Sequence, residues 1–243
     1  MNYGLYSAFL GMRSRMRTLD AQANNIANAS TTGFKAERLA YNTFEADKKS
    51  QSDQQLLVAG ASATNAIDFS TGTFEQTNQQ LDVAIKGDGF FQIQTPKGVR
   101  YTRAGNFSMN AAGQLVTKSG DLVVGERGGI TLPTQGEIAI GEDGSISVDG
   151  RAVDKLKLVR FNNPTTALSQ DGGSLFASNG SQTPIADGNS TILQGSLESS
   201  NINPITEMVA MINNNREFES LQKSVTLLMN DLGRKISGEI GRL

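Results

Sequence analysis

The fold is decided by residues 5–35, which end in Ala23-Asn24-Asn25-Ile26-Ala27-Asn28-Ala29-Ser30-Thr31-Thr32-Gly33-Phe34-Lys35. Apolar residues recur there at alternating steps of four and three positions: Leu5, Phe9, Met12, Met16, Leu19, Ala23 and Ile26. This heptad spacing predicts an amphipathic helix whose single apolar stripe packs against another helix. The helix is expected to end near Ala29, because the following Ser-Thr-Thr run competes for backbone hydrogen bonds and Gly33 permits a change of direction.

The C-terminal region carries a second apolar stripe, which begins after Pro204. Its members are Ile205, Met208, Val209, Met211, Ile212, Phe218, Leu221, Val225, Leu228, Met229, Leu232 and Ile236. Proline is tolerated in the first turn of a helix, and Asn203 or Asn201 could cap its N-terminus. The two stripes either close on each other within one chain or pack between chains, and the spacing leaves both pairings open.

The region between the helices has the pattern of β structure, with many of the 26 glycines at turns between short alternating runs. A strand, a tight turn and a strand are predicted over residues 81–94, and a hairpin over residues 107–117. Residues 155–161 are the clearest half-buried strand, whereas the polar residues 162–189 favour loops. This succession predicts a β-sandwich or an irregular barrel.

The predicted fold class is therefore α+β, with paired, coiled-coil-like N- and C-terminal amphipathic helices that enclose a mainly antiparallel all-β domain. Residues 1–36 and 200–243 would form a discontinuous helical assembly domain. Residues 37–79 would form an extended linker or hairpin region, and residues 80–199 the β domain. The polar segment 45–65 is interpreted as a solvated linker.

Composition restricts the possible functions of these 243 residues. A net charge of -2 with 19% charged residues gives no basic footprint for nucleic acid, and the mean hydropathy of -0.30 favours a chain without a membrane span. Histidine, cysteine and tryptophan are absent, which excludes Cys/His zinc sites and the Ser-His-Asp triad. We expect no cofactor, no metal and no small-molecule substrate. The N-terminus has no pattern of a cleavable signal peptide, so a location outside the cytoplasm would need another export route.

One enzymatic interpretation is an alternative. Ser220-Leu221-Gln222-Lys223 is an S-x-x-K box, and Ser199-Ser200-Asn201 and Lys118-Ser119-Gly120 match the other two motifs of penicillin-binding enzymes. The three motifs stand here in reverse order, and a β-rich middle lacks the mixed α/β body that positions them. An envelope serine hydrolase using Ser220 and Lys223 is thus the rival to a structural function.

Four blocks of sequence, spread over nearly the whole chain, resemble segments of the flagellar rod and hook axial proteins. They occur in the same order as in that family. The blocks are Ala23–Asn28 with Thr32–Lys35, then Leu81–Phe91, then Tyr101–Phe107 with Gly113–Thr117, and finally Gly195–Pro204 with Glu207–Val209, Met211-Ile212 and Arg216–Glu219. The Ser-Asn-Ile-Asn-Pro variant and the chain length are more similar to the proximal than to the distal rod subunits of that family. The distal subunit remains an alternative.

The resemblance implies a structural, non-enzymatic subunit of the bacterial flagellar basal-body rod, in which terminal helices form an inner tube and the β domain faces outward. It implies export through the flagellum's type III channel without a cleavable signal peptide, and a periplasmic location. The implied partners are copies of the chain, other rod subunits and the export apparatus, with no nucleic acid among them.

The expected assembly interface consists of the stripe positions and three asparagines that flank the first stripe. Its residues are Leu5, Phe9, Met12, Met16, Leu19, Asn24, Asn25, Ile26, Asn28, Ile205, Val209, Ile212, Val225, Leu228 and Leu232. The asparagines could fix the register of helix packing, or they could belong to an ordinary polar face. Neither helix can bury its stripe alone, so both are expected to be poorly ordered in the free chain and to fold on assembly.

Overall fold

The computed structural model describes residues 3–42 and 62–240. Its helices are α1 (Tyr3–Ala27), α2 (Pro164–Ala167) and α3 (Pro204–Ile240). Its strands are β1 (Glu37–Asn42), β2 (Ser62–Ile67), β3 (Phe74–Gln76), β4 (Val83–Lys86), β5 (Phe90–Thr95), β6 (Gly98–Thr102), β7 (Ser108–Met109), β8 (Leu115–Val116), β9 (Leu122–Gly125), β10 (Gly128–Gly129), β11 (Ile138–Ile140), β12 (Ser145–Val148), β13 (Arg151–Lys155), β14 (Leu158–Arg160), β15 (Leu168–Gln170), β16 (Leu175–Ser178), β17 (Ile185–Ala186), β18 (Thr191–Gln194) and β19 (Ser196–Glu198). The α+β class is confirmed. Most of the predicted polar segment 45–65 lies outside the described residues.

The ends of the long helices follow their local sequence. α1 ends at Ala27, and the turn that follows is closed by a 3.0 Å hydrogen bond from the Thr31 amide to the Asn28 carbonyl. α3 starts at Pro204, and the Asn203 side chain accepts hydrogen bonds from the next two amides at 3.1 and 3.2 Å. Asn203, one of the two residues predicted as possible caps, is therefore the N-terminal cap of α3.

The chain divides into two compact units. The helical unit comprises Met1–Ile26, Glu37–Ala66 and Asn203–Leu243, and the β unit comprises Ala27–Ala36 and Ile67–Ile202. In the helical unit, β1 and β2 form a two-stranded sheet beside the long helices α1 and α3. The β unit contains all the remaining paired strands.

The β unit is built around a ten-stranded sheet in which every recorded pairing is antiparallel. The strand order is β15-β16-β6-β5-β9-β8-β7, with β10 joined to β9 and β14 joined to both β5 and β17. A three-stranded sheet β11-β12-β13 and the pairs β4-β18 and β3-β19 complete the unit. The predicted 107–117 hairpin is present as β7-β8.

Two apolar cores lie on opposite sides of β5. Neighbouring side chains of a strand point to opposite faces, so Phe91 enters a cluster of aliphatic residues while Phe90 enters an aromatic one. In the aromatic cluster, the ring of Phe90 makes edge-to-face contacts with Phe161 and Phe176, each at a 6.1 Å centroid distance. Both faces of β5 therefore contribute side chains to an apolar core.

The two strands predicted over residues 81–94 are present as β4 and β5, but they do not pair with each other. Instead, β4 pairs with β18, whereas β5 pairs with β6, β9 and β14. The reason is burial on both faces: Val83, Ala84 and Ile85 are all fully buried, so the strand finds a distant partner rather than its neighbour in sequence.

Residues 162–189, predicted to be mostly loops, also contain short regular elements. The segment contains α2 and the strands β15, β16 and β17. Strand β16 joins the large sheet by pairing Phe176 with Tyr101 of β6, and Phe176 is completely buried. The predicted strand 155–161 is in fact split, because Lys155 ends β13 and a separate strand, β14, begins at Leu158.

Candidate assembly surface and a buried ionic cluster

The apolar stripes of α1 and α3 are largely open to solvent in the single chain. Large apolar side chains that a folded core would bury keep about half or more of their surface exposed: Phe9 59%, Met16 54%, Ile205 73%, Val209 54% and Ile212 54%. Met12, Leu19, Ile26 and Val225 are half-buried. Leu5, Leu228 and Leu232 lie within the helices, but their side chains are outside the described part. Contiguous exposed apolar surface of this kind is typical of an interaction face.

The recorded contacts between α1 and α3 are polar. Arg15 Nη2 lies 2.7 Å from a carboxylate oxygen of Glu217, and Arg15 Nη1 donates to Asn214 Oδ1 at 3.0 Å. Asn214 Nδ2 in turn donates to Gln22 Oε1 at 2.9 Å. Partly exposed ion pairs and amide bonds contribute little, about 0–1 kcal/mol each. These contacts therefore position the helices without replacing the burial of the stripes.

The three asparagines of the expected interface have different surroundings. Asn25 is 2% exposed, and its amide exchanges two 2.9 Å hydrogen bonds with the backbone of Glu37 at the start of β1. Asn24 is exposed and lies 3.5 Å from a Glu37 carboxylate oxygen. Asn28 accepts a 3.3 Å hydrogen bond from the Thr31 hydroxyl in the turn after α1. The Asn25 amide is thus satisfied within its own unit.

A buried ionic cluster lies inside the β unit, formed by Lys35, Glu198 and Arg103. Lys35 Nζ is 2.6 Å from Glu198 Oε1, and both side chains are fully buried. Arg103 Nη1 is 3.6 Å from the other oxygen of the same carboxylate, Glu198 Oε2, with 3% of its side chain exposed. Its guanidinium also stands 4.9 Å above the ring of Phe90. One carboxylate thus serves two buried cations.

Hydrogen bonds extend the cluster into the surrounding backbone. Lys35 Nζ donates to the carbonyl of Ser70 at 2.7 Å, and the Gly72 amide donates to Glu198 Oε1 at 3.1 Å. The Gly33 amide donates to the Glu198 carbonyl at 2.8 Å. Gly33 has φ +66°, and a Cβ there would lie 2.3 Å from the Ala104 nitrogen. Only glycine fits this position without displacing backbone.

Burial dominates the electrostatics of the two cations. It lowers the pKa of Lys35, against which the nearby Glu198 carboxylate acts. It also lowers the pKa of Arg103, opposed by Glu198, Asp88 and Asp187. Each cation faces the Glu198 carboxylate, which offsets part of the cost of burying charge, but Arg103 Nε and Nη1 and Glu198 Oε2 have no hydrogen-bond partner among the described residues.

Sequence reasoning missed this cluster. Lysine, arginine and glutamate are mostly surface residues, and Lys35 and Glu198 are 163 positions apart in the chain. One signal was available: each of the three residues lies in a different block of the four that carry the family resemblance. In the structure, these three blocks meet where their charged side chains, Lys35, Arg103 and Glu198, form ion pairs.

The residues of the rival enzymatic interpretation fall in two different units. Ser220 and Lys223 are both exposed on α3 in the helical unit, whereas Lys118, Ser119 and Asn201 belong to the β unit. Asn201 is engaged in backbone hydrogen bonds, donating to the Asp68 carbonyl at 2.8 Å. Within residues 3–42 and 62–240, no cluster of three or more acidic side chains is placed to hold a metal ion.

Comparison with known proteins identifies the family. Sequence models match residues 5–35 (flagella basal body rod protein), residues 84–148 (flagellar hook protein FlgE/F/G D1 domain) and residues 193–227 (flagellar basal body rod FlgEFG protein, C-terminal). The basal-body rod protein FlgF of Caulobacter vibrioides is 37% identical over 226 residues, covering 92% of each chain.

Two further relatives cover similar lengths. FlgF of Salmonella typhimurium is 35% identical, over 96% of this chain and 97% of its own. The basal-body rod protein FlgG of Bacillus subtilis is 34% identical, over 91% of this chain and 93% of its own. The chain belongs to the flagellar basal-body rod protein family.

Family membership settles the class of function. The chain is a structural subunit of the flagellar basal-body rod and not an enzyme, so the Ser220/Lys223 hydrolase interpretation is wrong. Membership also implies assembly with copies of the chain and with other rod or hook subunits. No helix among the described residues is long and apolar enough to span a membrane.

Proposed function

We propose that the chain is a proximal rod subunit that assembles helically through the apolar stripes of α1 and α3. The observation that carries this proposal is the exposure of Phe9, Met16, Ile205, Val209 and Ile212 in the single chain. Burying such side chains stabilises by roughly 1.5–3 kcal/mol each. An assembly that covers these side chains gains the hydrophobic free energy that the single chain does not obtain.

The geometry of the stripes suits an open filament. α3 has 37 residues and is about 55 Å long at 1.5 Å per residue, so one helix can reach several neighbours. Association of one surface with a different surface of the next subunit does not close on itself and generates a helical array. Such an array of packed helices would transmit torque along its axis.

A matched pair of variants tests the interface. Ile212→Asp places a charge on the stripe, whereas Asn213→Asp places the same charge on the neighbouring exposed polar position. In a strain that lacks the native chain, Asn213→Asp should restore swimming and Ile212→Asp should not, because an unpaired carboxylate cannot be buried between helices. Basal bodies counted by electron microscopy measure the effect. Equal numbers of rods from both variants would contradict the interface.

The proximal position is supported by the Ser-Asn-Ile-Asn-Pro segment and the chain length, whereas similarity to FlgG favours the distal position as the second candidate. Incorporation of the tagged chain in a strain without the distal rod protein separates them. A proximal subunit should enter the basal body in that strain. Its absence there would favour the distal assignment.

Export through the flagellar channel to a periplasmic rod is part of the same proposal. It is supported by membership of the flagellar basal-body rod protein family. The chain incorporated in purified basal bodies should retain its N-terminal peptide in mass spectrometry. A shortened N-terminus on the incorporated chain would contradict this route.

A further inference from the structure

Three junction segments of the β unit lie next to the points where the chain passes between the units. We define them as residues 33–36, 68–72 and 198–202, which stand beside the unit boundaries at 36/37, 66/67 and 202/203. Every polypeptide connection except that at 26/27 leaves the β unit from one of these segments. Their positions within the β unit therefore determine where the chain departs from it.

Side-chain and backbone hydrogen bonds tie the three junction segments to one another. Lys35 of the first segment bonds Ser70 of the second and Glu198 of the third, at 2.7 and 2.6 Å. Asn201 of the third accepts from the Ala36 amide at 2.8 Å and donates to the Asp68 carbonyl at 2.8 Å. The Asp68 amide closes the circuit by donating to the Ala36 carbonyl at 2.9 Å.

Apolar packing among the junction segments is limited. Their own apolar cluster consists of Phe34, Ala36 and Ile202, with Ala29 packed against it. This is a small area beside the two large cores of the β unit. The charged and amide side chains are thus the main directional contacts that fix these segments.

We propose that Lys35 and Glu198, assisted by Arg103, are positioning residues that hold the three junction segments as one rigid body within the β unit. The inference deepens the proposed function and rests on it for its consequence, because a rod subunit must carry load through these connections. Apolar side chains of the same volume often stabilise as well as a buried ion pair, but they lack its directional bonds. Specific placement of the segments is what the cluster adds.

Because the Glu198 carboxylate is shared by two cations, removing its charge should have a larger effect than removing one of the cations. Glu198→Gln removes the carboxylate that is paired with both buried cations and leaves them only the smaller attraction of other acidic side chains. Lys35→Met, in contrast, leaves Glu198 paired with Arg103 at 3.6 Å. Breaking a buried pair by removing one partner is strongly unfavourable when the other charge is stranded. Glu198→Gln should therefore loosen the junction segments more than Lys35→Met does.

Amide hydrogen exchange on the purified full chain tests the inference. In Glu198→Gln, the amides of Gly33 and Asp68 should exchange about tenfold faster or more, because they are released by local opening. Amides of β5, paired with β9 through Ile93 and Val123, should keep their protection. Lys35→Met should show a smaller change in the same direction.

The control is Asp143→Asn, which removes the exposed ion pair between Asp143 and Lys155 at 3.5 Å in the same unit. It should leave the exchange of the junction segments unchanged. Equal acceleration of junction and β5 amides would overturn the inference, since it would mean a general loss of stability. Unchanged junction amides would overturn it as well. If Glu198→Gln does not fold, Lys35→Met is judged by the same two criteria.

The exchange result is independent of polymerisation. A chain that fails to build rods although its junction segments respond as expected would contradict the proposed function and leave the positioning role intact. Normal rods from a Glu198→Gln chain with loosened segments would show that the assembly does not depend on their placement. That outcome would overturn the inference that a rod subunit needs these segments fixed in order to carry load.

Discussion

The two units of this protein treat apolar surface in opposite ways. The β unit buries its large side chains on both faces of a ten-stranded sheet, and it even buries three charged side chains at the Lys35–Glu198–Arg103 cluster. The helical unit leaves Phe9, Ile205 and Val209 more than half exposed. One unit completes its fold within the chain, and the other leaves apolar surface exposed that, under the proposed function, a neighbouring subunit covers.

This difference explains how a subunit can be stable before assembly and still assemble. Hydrophobic stabilisation scales with the apolar area removed from water, so the β unit holds most of the free energy of folding of the single chain. Under the proposed function, the exposed apolar area of the helices drives association. Variants of the two units should consequently affect different measurements.

The largest expected effect is on the core of the β unit. Phe91→Ala removes a fully buried ring and should lower the free energy of unfolding by about 3–5 kcal/mol. Val209→Ala, on the exposed stripe, should change it by less than about 0.5 kcal/mol. Urea denaturation followed through the β unit measures both values. Similar losses from the two variants would end the distinction between the units.

Gly33→Ala should have the next largest effect. A left-handed backbone strains alanine by about 1–3 kcal/mol, and here the new Cβ would also press on the Ala104 backbone. The matched control is Gly120→Ala, which has φ +88° but nothing within 4 Å of its Cβ position. Thermal unfolding should therefore show a greater loss for Gly33→Ala. Equal losses would mean that the close approach does not matter.

Loss of the α3 cap should be smaller and confined to the helical unit. Asn203→Ala removes the side-chain acceptor of two amides and should destabilise the start of α3 by about 1 kcal/mol. Asn213→Ala, at an exposed position within the helix, is the control. Amide exchange in residues 205–208 should rise only in the first variant, and the β unit should not respond.

The smallest effect concerns an ion pair at the surface of the β unit. The hydrogen bond from Arg100 Nε, 2.7 Å from Asp171 Oδ2, lowers the pKa of that carboxyl below its ordinary value of 3.8. A lowered pKa in the folded state means that the pair stabilises above pH 3.8 and that this contribution is lost as the pH falls through the lowered pKa.

Asp171→Asn should accordingly reduce the melting temperature slightly at about pH 6, and the difference from the native chain should shrink as the pH falls below 3.8. Melting curves at a series of decreasing pH values provide the measurement. A difference that stays constant across this range would mean that the carboxyl charge is not its source.

The helices could be predicted from sequence because their signals are local. The heptad spacing from Phe9 to Ile26 and the Asn203-Pro204 start need no knowledge of distant residues. The pairing of β4 with β18 and that of β16 with β6 could not be predicted. The partners in these two pairs lie far apart in the chain, and a short apolar run does not specify which strand it will join.

The apolar stripes show how much of the candidate assembly surface could be predicted from the sequence. Their spacing predicted a surface, and the structure describes most of those side chains as exposed or half-buried, but the partner that covers them is a proposal. The buried ionic cluster, in contrast, was not predicted from the sequence at all. Nothing in the local sequence of Lys35 or Glu198 indicates that the two meet inside a core.

The most direct test of the account compares amide exchange in the free chain and in the assembled rod. In the dilute free chain, α1 and α3 should exchange fast while β5 and β9 stay protected, and in the rod the helices should become protected as well. That result would show that the helices acquire their stability from neighbours. Strong protection of α1 and α3 in the dilute free chain, unchanged on assembly, would contradict the central claim that the helical unit is completed by other subunits.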